Sequence, residues 1–236
     1  MGLSDALRKD LDEILSARWS VRRGLVVPST SKVQLAGGAV RLPATMLYAD
    51  LADSTELAMG QDRRVAAKVF KSFLACASRL IKARGGEVRS YDGDRVMGVF
   101  LGINRNSSAV RCALNINFVF QEMIRPKLLA KYRSLGSGPY ELSHSVGVDT
   151  SDVLVVRGGV RRSNDLIWVG RAPNVAAKLS GIRQSAYRTF ITAEVHADLD
   201  DSYRRGPKGE QLWQRWKWTE VKGVDTIYRS KWSWEP

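Results

Sequence analysis

The chain has 236 residues, 44% of them hydrophobic, which is enough to bury the core of one full domain. Its 37 basic and 24 acidic residues give a net charge of +13, which favours polyanionic partners such as nucleic acid, an anionic membrane or phosphorylated small molecules. Cys76 and Cys112 lack the spacing of a zinc site or disulfide framework, and no apolar run reaches 18 residues, so we expect a soluble, cytoplasmic protein with two reduced thiols.

The first predicted element is an amphipathic helix over residues 4–18, where leucine and isoleucine recur at helical spacing. A loop-rich stretch without strong periodicity follows, and it ends at a short buried strand, residues 45–50. We therefore divide the chain into an N-terminal helix and loop extension, residues 1–40, and a single domain, residues 41–236.

Strands and helices alternate in the rest of the chain. A long helix over residues 65–81 is followed by two antiparallel strands around Asp92-Gly93, a dipeptide that favours tight hairpins. A helix over residues 106–133, a hairpin-like pair of strands within residues 142–159 and a helix that begins near Arg171 come next, and one or two strands end the chain. This order predicts an α+β domain with a mainly antiparallel sheet.

Two aspartates stand where predicted strands end or turn. Asp50 ends the first strand and Asp94 lies at the hairpin turn. If these strands are neighbours, about 4.8 Å apart, the two carboxylates meet and repel unless a cation lies between them. Hard divalent ions such as Mg²⁺ or Mn²⁺ accept oxygen-only ligation and leave positions open for phosphate oxygens. The alternative is that each aspartate caps a turn or helix.

Five segments resemble, in the same order, the motifs of class III adenylyl and guanylyl cyclases. They are YADLADSTELA, GGEVRSYDGDRVMGVF, SVGVDTSDVL, VGRAPNVAAKL and KGVDTIYR, which together cover about residues 44–230. The resemblance implies a ferredoxin-like, palm-type domain that uses two divalent metal ions, Mn²⁺ or Mg²⁺. It also implies a homodimer with composite active sites, in which the aspartates of one chain face the asparagine-bearing helix of the other.

The resemblance assigns roles to the residues at matching positions. Asp50 and Asp94 would bind both metals, and Leu51 would contribute its backbone carbonyl. Asn174 would orient the ribose. The turn that holds the phosphates would consist of Asp53, Ser54 and Thr55.

The base-reading positions depart from the pattern of purine cyclases. Ser90 and Ile167 stand where those enzymes have a Lys and an Asp that read adenine. The loss of an acidic acceptor for an exocyclic amine disfavours ATP and CTP. Asp165 would replace that acceptor only if its loop shifted register, so we expect Asp165→Ala to leave the base preference unchanged.

Three further residues suit uracil. Tyr48 would narrow the pocket against purines, and Arg89 and Arg95 supply donors for a uracil carbonyl, although a core tyrosine and solvated arginines would explain them equally. This combination resembles the pyrimidine cyclases of bacterial anti-phage Pycsar systems. Those enzymes make cyclic UMP or cyclic CMP during infection and thereby activate a separate effector.

The predicted catalytic helix also departs from the family pattern. Lys178 stands where many members have an arginine that stabilises the pentavalent phosphorus, and lysine supplies the charge without the bidentate fork. Arg171, at the start of the helix, is a candidate triphosphate contact. The alternative is that Lys178 and Arg171 are solvent-exposed residues of the helix surface without a catalytic role. His144 and His196 lack metal-ligand spacing and are expected to be structural.

The leading hypothesis is a uridylate cyclase that acts in phage defence on UTP. A cytidylate or adenylate cyclase on the same scaffold is the nearest alternative. The non-enzymatic alternatives are a nucleotide-sensing cyclase-like domain and a basic nucleic-acid-binding protein. Retention of both Asp50 and Asp94 argues against a silent sensor, and no nucleic-acid-binding motif accompanies the late tryptophans.

Overall fold

A mixed nine-stranded sheet forms the centre of the protein, whose computed structural model describes residues 2–137, 140–184 and 186–236. A π-helical turn, Phe120–Ile124, joins α4 to α5. In chain order the helices and strands are α1 (Leu3–Ser16), β1 (Ser20–Arg23), β2 (Gly38–Leu51), α2 (Ser54–Gly60), α3 (Arg63–Ala83), β3 (Glu87–Asp92), β4 (Arg95–Phe100), α4 (Arg105–Val119), α5 (Arg125–Lys131), β5 (His144–Val160), β6 (Ser163–Val169), α6 (Arg171–Ser180), β7 (Thr189–Thr192), α7 (Ala193–Ala197), α8 (Asp201–Arg204), β8 (Gln214–Val221) and β9 (Val224–Ser230).

The strand order is β3-β4-β2-β5-β7-β9-β8, with β1 paired to β2 and β6 paired to β5. The long central strands β2 and β5 run antiparallel from Ala39 opposite Val156 to Leu51 opposite His144. Only the β1–β2 and β5–β7 pairs of the described sheet are parallel. The predicted α+β fold with a mainly antiparallel sheet is therefore confirmed.

Helices cover both faces of the sheet because its central strands are apolar on both sides. Leu47 and Ala49 of β2 face the large core that contains α3 and α4. Met46 faces the opposite side, where it packs with Ala172 and Ala176 of α6. Alternation along a strand sends successive side chains to opposite faces, so one strand serves both cores.

Helix α6 lies very close to β5 at a glycine. A Cβ atom on Gly147 would lie 2.2 Å from the carbonyl oxygen of Ala176 and 2.5 Å from the backbone nitrogen of Ser180. Only glycine allows two backbones to approach so closely. This contact sets the position of α6, which carries three of the predicted site residues, Arg171, Asn174 and Lys178.

Three expectations about individual elements need comment. The helix predicted over residues 4–18 is α1, and the strand predicted at 45–50 is the last part of the much longer β2. The hairpin predicted within residues 142–159 is wrong: β5 runs unbroken through this segment because β2 pairs with it along most of its length. The actual partner is β6, beyond a turn in which Arg162 has a φ of 73°.

The predicted division at residue 40 falls inside β2, and β1 of the proposed extension pairs with that strand. The division of the chain into an N-terminal extension, residues 1–40, and a catalytic domain, residues 41–236, stays a prediction. Cys76 and Cys112 are both free thiols. Of the helices described, none is long and apolar enough to cross a membrane.

Candidate active site

The two predicted metal-binding aspartates meet at one end of the sheet. Asp50 lies near the end of β2, directly opposite Arg95 at the start of β4. Asp94 precedes Arg95 in the tight β3–β4 turn, where Gly93 adopts a positive φ of 60°. Asp50 is only 5% exposed. Strand pairing therefore brings together two carboxylates that are 44 residues apart in the chain.

The surroundings of Asp94 disfavour its ionised form. Burial raises the pKa of this carboxyl, and the nearby negative charge of Asp50 raises it further, against smaller opposing effects from Ser54 and Arg95. Its Oδ2 atom is buried and has no hydrogen-bond partner in the described part of the chain. A cation between the two carboxylates would reduce their mutual repulsion and give Asp94 Oδ2 a partner.

Asp50 is neutralised by two arginines. Arg95 donates from Nη2 to Asp50 Oδ2 at 3.2 Å, and Arg183 donates from Nη2 to the same oxygen at 3.3 Å. Arg183 was not identified from the sequence. It follows α6 in a short irregular segment, and neither periodicity nor a motif connects it with Asp50.

Arg183 also reaches two other groups of the predicted site. Its Nη2 donates to the carbonyl oxygen of Leu51 at 3.3 Å, and its Nε lies 3.6 Å from Asp53 Oδ1. Asp53 has a φ of 50° in the turn before α2. Ser54 and Thr55 begin that helix, with Thr55 exposed, so the predicted turn comprises only Asp53 and runs directly into α2.

The donor set fits a hard divalent ion. Asp50, Asp94 and the Leu51 carbonyl offer only oxygen atoms, and the unpartnered Oδ2 of Asp94 is available as a ligand. No cluster of three or more His, Cys, Asp or Glu side chains suited to a metal occurs among the residues described. The candidate site therefore depends on two carboxylates and one carbonyl, with its remaining positions left to water and substrate.

A cavity of about 230 Å³ lies between the sheet and α6, and we call it the base pocket because its lining includes residues predicted to contact the base. Its lining includes Tyr48, Arg89, Ser90, Met97, Asp165 and Asn174. The Tyr48 hydroxyl donates to Met97 Sδ at 2.8 Å, a weak acceptor that the hydroxyl can exchange for a better one. Burial raises the pKa of Tyr48, which keeps the hydroxyl protonated as a donor.

Ile167 is not part of this pocket. It is 49% exposed and lines a separate cavity beside α1. Its side chain packs over Gly158, where a Cβ atom would lie 2.1 Å from Ile167 Cδ1. Asp165, two residues earlier, lines the base pocket instead, and its Oδ1 accepts hydrogen bonds from Thr30 Oγ1 at 3.3 Å and the Leu166 backbone at 2.7 Å. Asp165 thus lies at the cavity without a shift of its loop, and its effect on base preference stays a prediction.

Two predicted substrate-binding arginines are engaged elsewhere. Arg95 pairs with Asp50 and does not line the base pocket. Arg171 donates to the buried Asp149 at 3.0 Å and to Glu194 at 2.5 Å. Since Asp149 lies opposite Met46, four residues before Asp50 on β2, Arg171 belongs to a structural ion-pair network away from the two acids. Arg89 does line the pocket, and its Nε has no partner among the described atoms.

Asn174 and Lys178 share the exposed face of α6. They are four residues apart, so they lie one above the other on the helix. Asn174 donates from Nδ2 to the Gly170 carbonyl at 3.0 Å and lines the base pocket. Both side chains remain accessible to a substrate or to a second chain.

The two histidines have structural surroundings. His144 is 1% exposed, with its ring centroid 4.3 Å from that of Phe120. Burial lowers the pKa of His144 to about 3, and Arg188 and Arg183 contribute in the same direction. His196 stacks on Tyr228 with 3.7 Å between ring centroids.

The fold is found in solved structures of other proteins. No protein-family model matches the chain. The structure superposes on a bacterial light-regulated adenylyl cyclase with a TM-score of 0.70 at 20% identity, over 86% of this chain and 55% of that one. The fold is that of the class III nucleotidyl cyclases, as the sequence motifs predict.

Two relatives match over nearly their whole length. A uridylate cyclase of Rhodovulum sp. (strain MB263) is 44% identical over 237 residues, which cover 100% of this chain and 99% of the relative. A uridylate cyclase of Xanthomonas perforans is 39% identical over 99% of both chains. The chain belongs to the uridylate cyclase family.

Proposed function

We propose that the protein converts UTP into 3′,5′-cyclic UMP and pyrophosphate. The observation that carries the proposal is the pair of adjoining carboxylates, Asp50 and Asp94, in a chain that also has a small polar pocket and is 44% identical to a uridylate cyclase. In this reaction the ribose 3′-oxygen forms a bond to the α-phosphorus, the bond from that phosphorus to the pyrophosphate oxygen breaks, and the 3′-hydroxyl loses its proton.

The acid pair and the Leu51 carbonyl are proposed to hold two divalent ions, Mn²⁺ or Mg²⁺. Such ions lower the pKa of an attacking hydroxyl and neutralise charge on a leaving group. Around them, residues 53–55 would hold the phosphates and Asn174 would orient the ribose. Lys178 would place its ammonium against the charge that develops on the pentavalent phosphorus.

The pocket groups suit uracil, which offers O2 and O4 as acceptors and N3–H as a donor. Arg89 and Ser90 supply donors, and Arg89 Nε is a buried donor that lacks a partner among the described atoms. Asp165 supplies an acceptor for N3–H. With a volume of about 230 Å³ and the Tyr48 ring in its wall, the pocket favours a single-ring base over a purine. A wrong base would leave buried polar groups unpaired, at about 1–3 kcal/mol each.

We further propose a cytoplasmic homodimer in which the two acids of one chain work with Asn174 and Lys178 of the other. The exposed position of both α6 residues supports this arrangement. The product would act as a second messenger in anti-phage defence by activating a separate effector protein.

The decisive experiment incubates the purified protein with each of the four NTPs and Mn²⁺ and identifies the products by mass spectrometry. We expect cyclic UMP to dominate, and no product from the Asp94→Asn control. A larger yield from CTP or ATP would move the assignment to a cytidylate or adenylate cyclase. No cyclic product from any NTP would favour a nucleotide sensor. Affinity for mixed DNA or RNA that falls steeply with salt would instead favour a nucleic-acid-binding protein.

A further inference from the structure

Arg183 lies on the groups that are proposed to bind metal. Its Nη2 is 3.3 Å from Asp50 Oδ2 and 3.3 Å from the Leu51 carbonyl oxygen, and its Nε is 3.6 Å from Asp53 Oδ1. Its Nη1 donates to the Ser180 carbonyl at the end of α6, at 2.8 Å. One guanidinium thus connects the end of the catalytic helix with three oxygens of the acid site.

A guanidinium and a divalent ion compete for these oxygens, because both are positively charged and approach the same lone pairs. The Asp50 side chain is only 7% exposed, which leaves little room for both cations. Arg95 also donates to Asp50 from the neighbouring strand, but no hydrogen bond connects it to Leu51 in the described chain. Arg183 is therefore the arginine that contacts both Asp50 and the Leu51 carbonyl, two of the three groups proposed to bind metal.

Arg183 is also able to leave. Its side chain is 33% exposed, and it belongs to the irregular segment between α6 and β7 rather than to a strand. Departure would not disturb strand pairing. Arg95, by contrast, is fixed opposite Asp50 by the β2–β4 register.

We propose that Arg183 is a built-in competitor for the metal site: its guanidinium occupies Asp50 and the Leu51 carbonyl in the metal-free enzyme and must move away for a divalent ion to bind. This inference rests on the proposed metal-binding role of the two acids. The competition makes the idle enzyme resist metal loading. Arg183 is a positioning residue in this sense, since it acts on the reaction by controlling when the acid pair is available.

The test is a Mn²⁺ titration of the nucleotide-free protein, in which electron paramagnetic resonance measures the concentration of unbound Mn²⁺. We expect Arg183→Gln to bind Mn²⁺ about tenfold more tightly than the wild type, because a cation close to Asp50 no longer opposes the ion. Arg183→Lys, which keeps the charge but not the two-acceptor fork, should fall between them. In cyclisation assays, the Mn²⁺ concentration for half-maximal activity should fall for Arg183→Gln.

Arg41→Gln is the matched control. Arg41 lies on β2, nine residues before Asp50, and pairs with Asp152 of β5, so the substitution removes one positive charge at a distance and should leave Mn²⁺ affinity unchanged. Unchanged or weaker Mn²⁺ binding by Arg183→Gln, or no detectable binding by any form, would overturn the competition. Mn²⁺ binding that survives Asp50→Asn would instead overturn the metal assignment in the proposed function, so the two failures are distinguishable.

Discussion

Asp50 and Arg95 face each other across β2 and β4, joined by a hydrogen bond of 3.2 Å between Arg95 Nη2 and Asp50 Oδ2. Asp94, the adjacent residue in the chain, has a buried carboxyl oxygen without a hydrogen-bond partner among the described atoms. The two predicted metal ligands thus differ in their protein contacts. Asp50 stabilises the fold through its arginines, whereas Asp94 is held near a like charge.

Substitution of either acid should abolish cyclisation, but the two changes should have opposite effects on stability. Asp50→Asn leaves Arg95 and Arg183 without their shared carboxylate, so we expect the free energy of unfolding to fall by about 1–3 kcal/mol. Asp94→Asn removes a like-charge repulsion and should leave the Tm of the metal-free protein unchanged or higher. Thermal unfolding without metal, paired with product assays, measures both. Near-full activity in either variant would contradict the two-metal interpretation.

Base selection should depend on the volume of Tyr48. Tyr48→Ala enlarges the pocket, so we expect lower turnover of UTP and a smaller ratio of UTP to ATP activity. Tyr48→Phe keeps the ring and removes only the hydroxyl, and should retain most discrimination against purines. The kcat/KM values for UTP and ATP decide the point. Equal selectivity in all three proteins would exclude Tyr48 from base choice.

The position of Asp165 in the pocket gives a different expectation from the sequence alone. Asp165→Asn keeps the size of the side chain but exchanges one acceptor oxygen for a donor, which opposes uracil N3–H. We expect the ratio of kcat/KM for UTP to that for CTP to fall about tenfold, since one mismatched hydrogen bond to a bound base costs about 1–3 kcal/mol. Ile167→Ala, outside the pocket, is the control. An unchanged ratio in Asp165→Asn would support the original expectation that Asp165 has no part in base choice.

Composite sites predict complementation between inactive chains. Asp94→Ala and Asn174→Ala proteins should each be inactive, but mixing and subunit exchange should restore activity, because one site of each heterodimer contains both wild-type halves. Up to half the activity of a wild-type dimer is expected per heterodimer, since its other site carries both substitutions. Mass measurement of tagged chains confirms the exchange. Heterodimers that form and stay inactive would exclude the proposed arrangement.

Acid should destabilise the protein through His144. Burial lowers the pKa of His144 from 6.5 to about 3, so below pH 6.5 the unfolded chain takes up a proton that the folded chain excludes. The stability due to the neutral ring is complete above pH 6.5 and is lost as the pH falls toward 3, by up to about 1.4 kcal/mol per pH unit. Urea unfolding at pH 7, 6 and 5 should show a smaller decrease for His144→Leu than for the wild type. His196→Leu, at a partly exposed position, should have a weaker effect; equal slopes in all three proteins would contradict this account.

Gly147 should be intolerant of any side chain. The added methyl group of Gly147→Ala would lie 2.2 Å from the Ala176 carbonyl oxygen, so α6 must shift or the strand must bend. We expect a loss of about 1–3 kcal/mol in stability and a lower kcat, because Asn174 and Lys178 move with the helix. Gly60→Ala, where no atom lies within 4 Å of the added carbon, is the control and should change stability by less than about 0.5 kcal/mol. Equal effects of the two substitutions would show that the α6–β5 contact does not set the position of the helix.

The positions of Asp50 and Asp94 could be predicted because each follows from a local sequence pattern. Asp50 ends an apolar strand, and Asp92-Gly93 marks the hairpin that carries Asp94, so only the adjacency of the two strands had to be assumed. The motifs supplied that adjacency through family resemblance. Asn174 and Lys178 were likewise identified by the resemblance of their helix to the family motif.

The parts that escaped prediction depend on long-range packing. Arg183 meets Asp50 across 133 residues, and its neighbours show no periodic pattern that would connect the two. Ile167 and Asp165 were interchanged because the direction of a side chain on β6 depends on its packing over β5, here at Gly158, which sequence spacing does not reveal. The continuity of β5 likewise depends on its pairing with β2.

The central position of β2 affects the order in which parts of the protein unfold. This strand pairs with β5 along most of its length on one side and with β1 and β4 on the other, and it carries Tyr48, Asp50 and Leu51. Amides of central strands exchange with solvent only when the whole domain opens, whereas edge strands such as β8 open locally at lower free energy. Heat or denaturant will therefore reach Tyr48, Asp50 and Leu51 late, whereas Asp94, in the turn next to the edge strand β3, is subject to local opening earlier. Activity should therefore begin to fall when the β3–β4 hairpin opens, before the central strands unfold cooperatively.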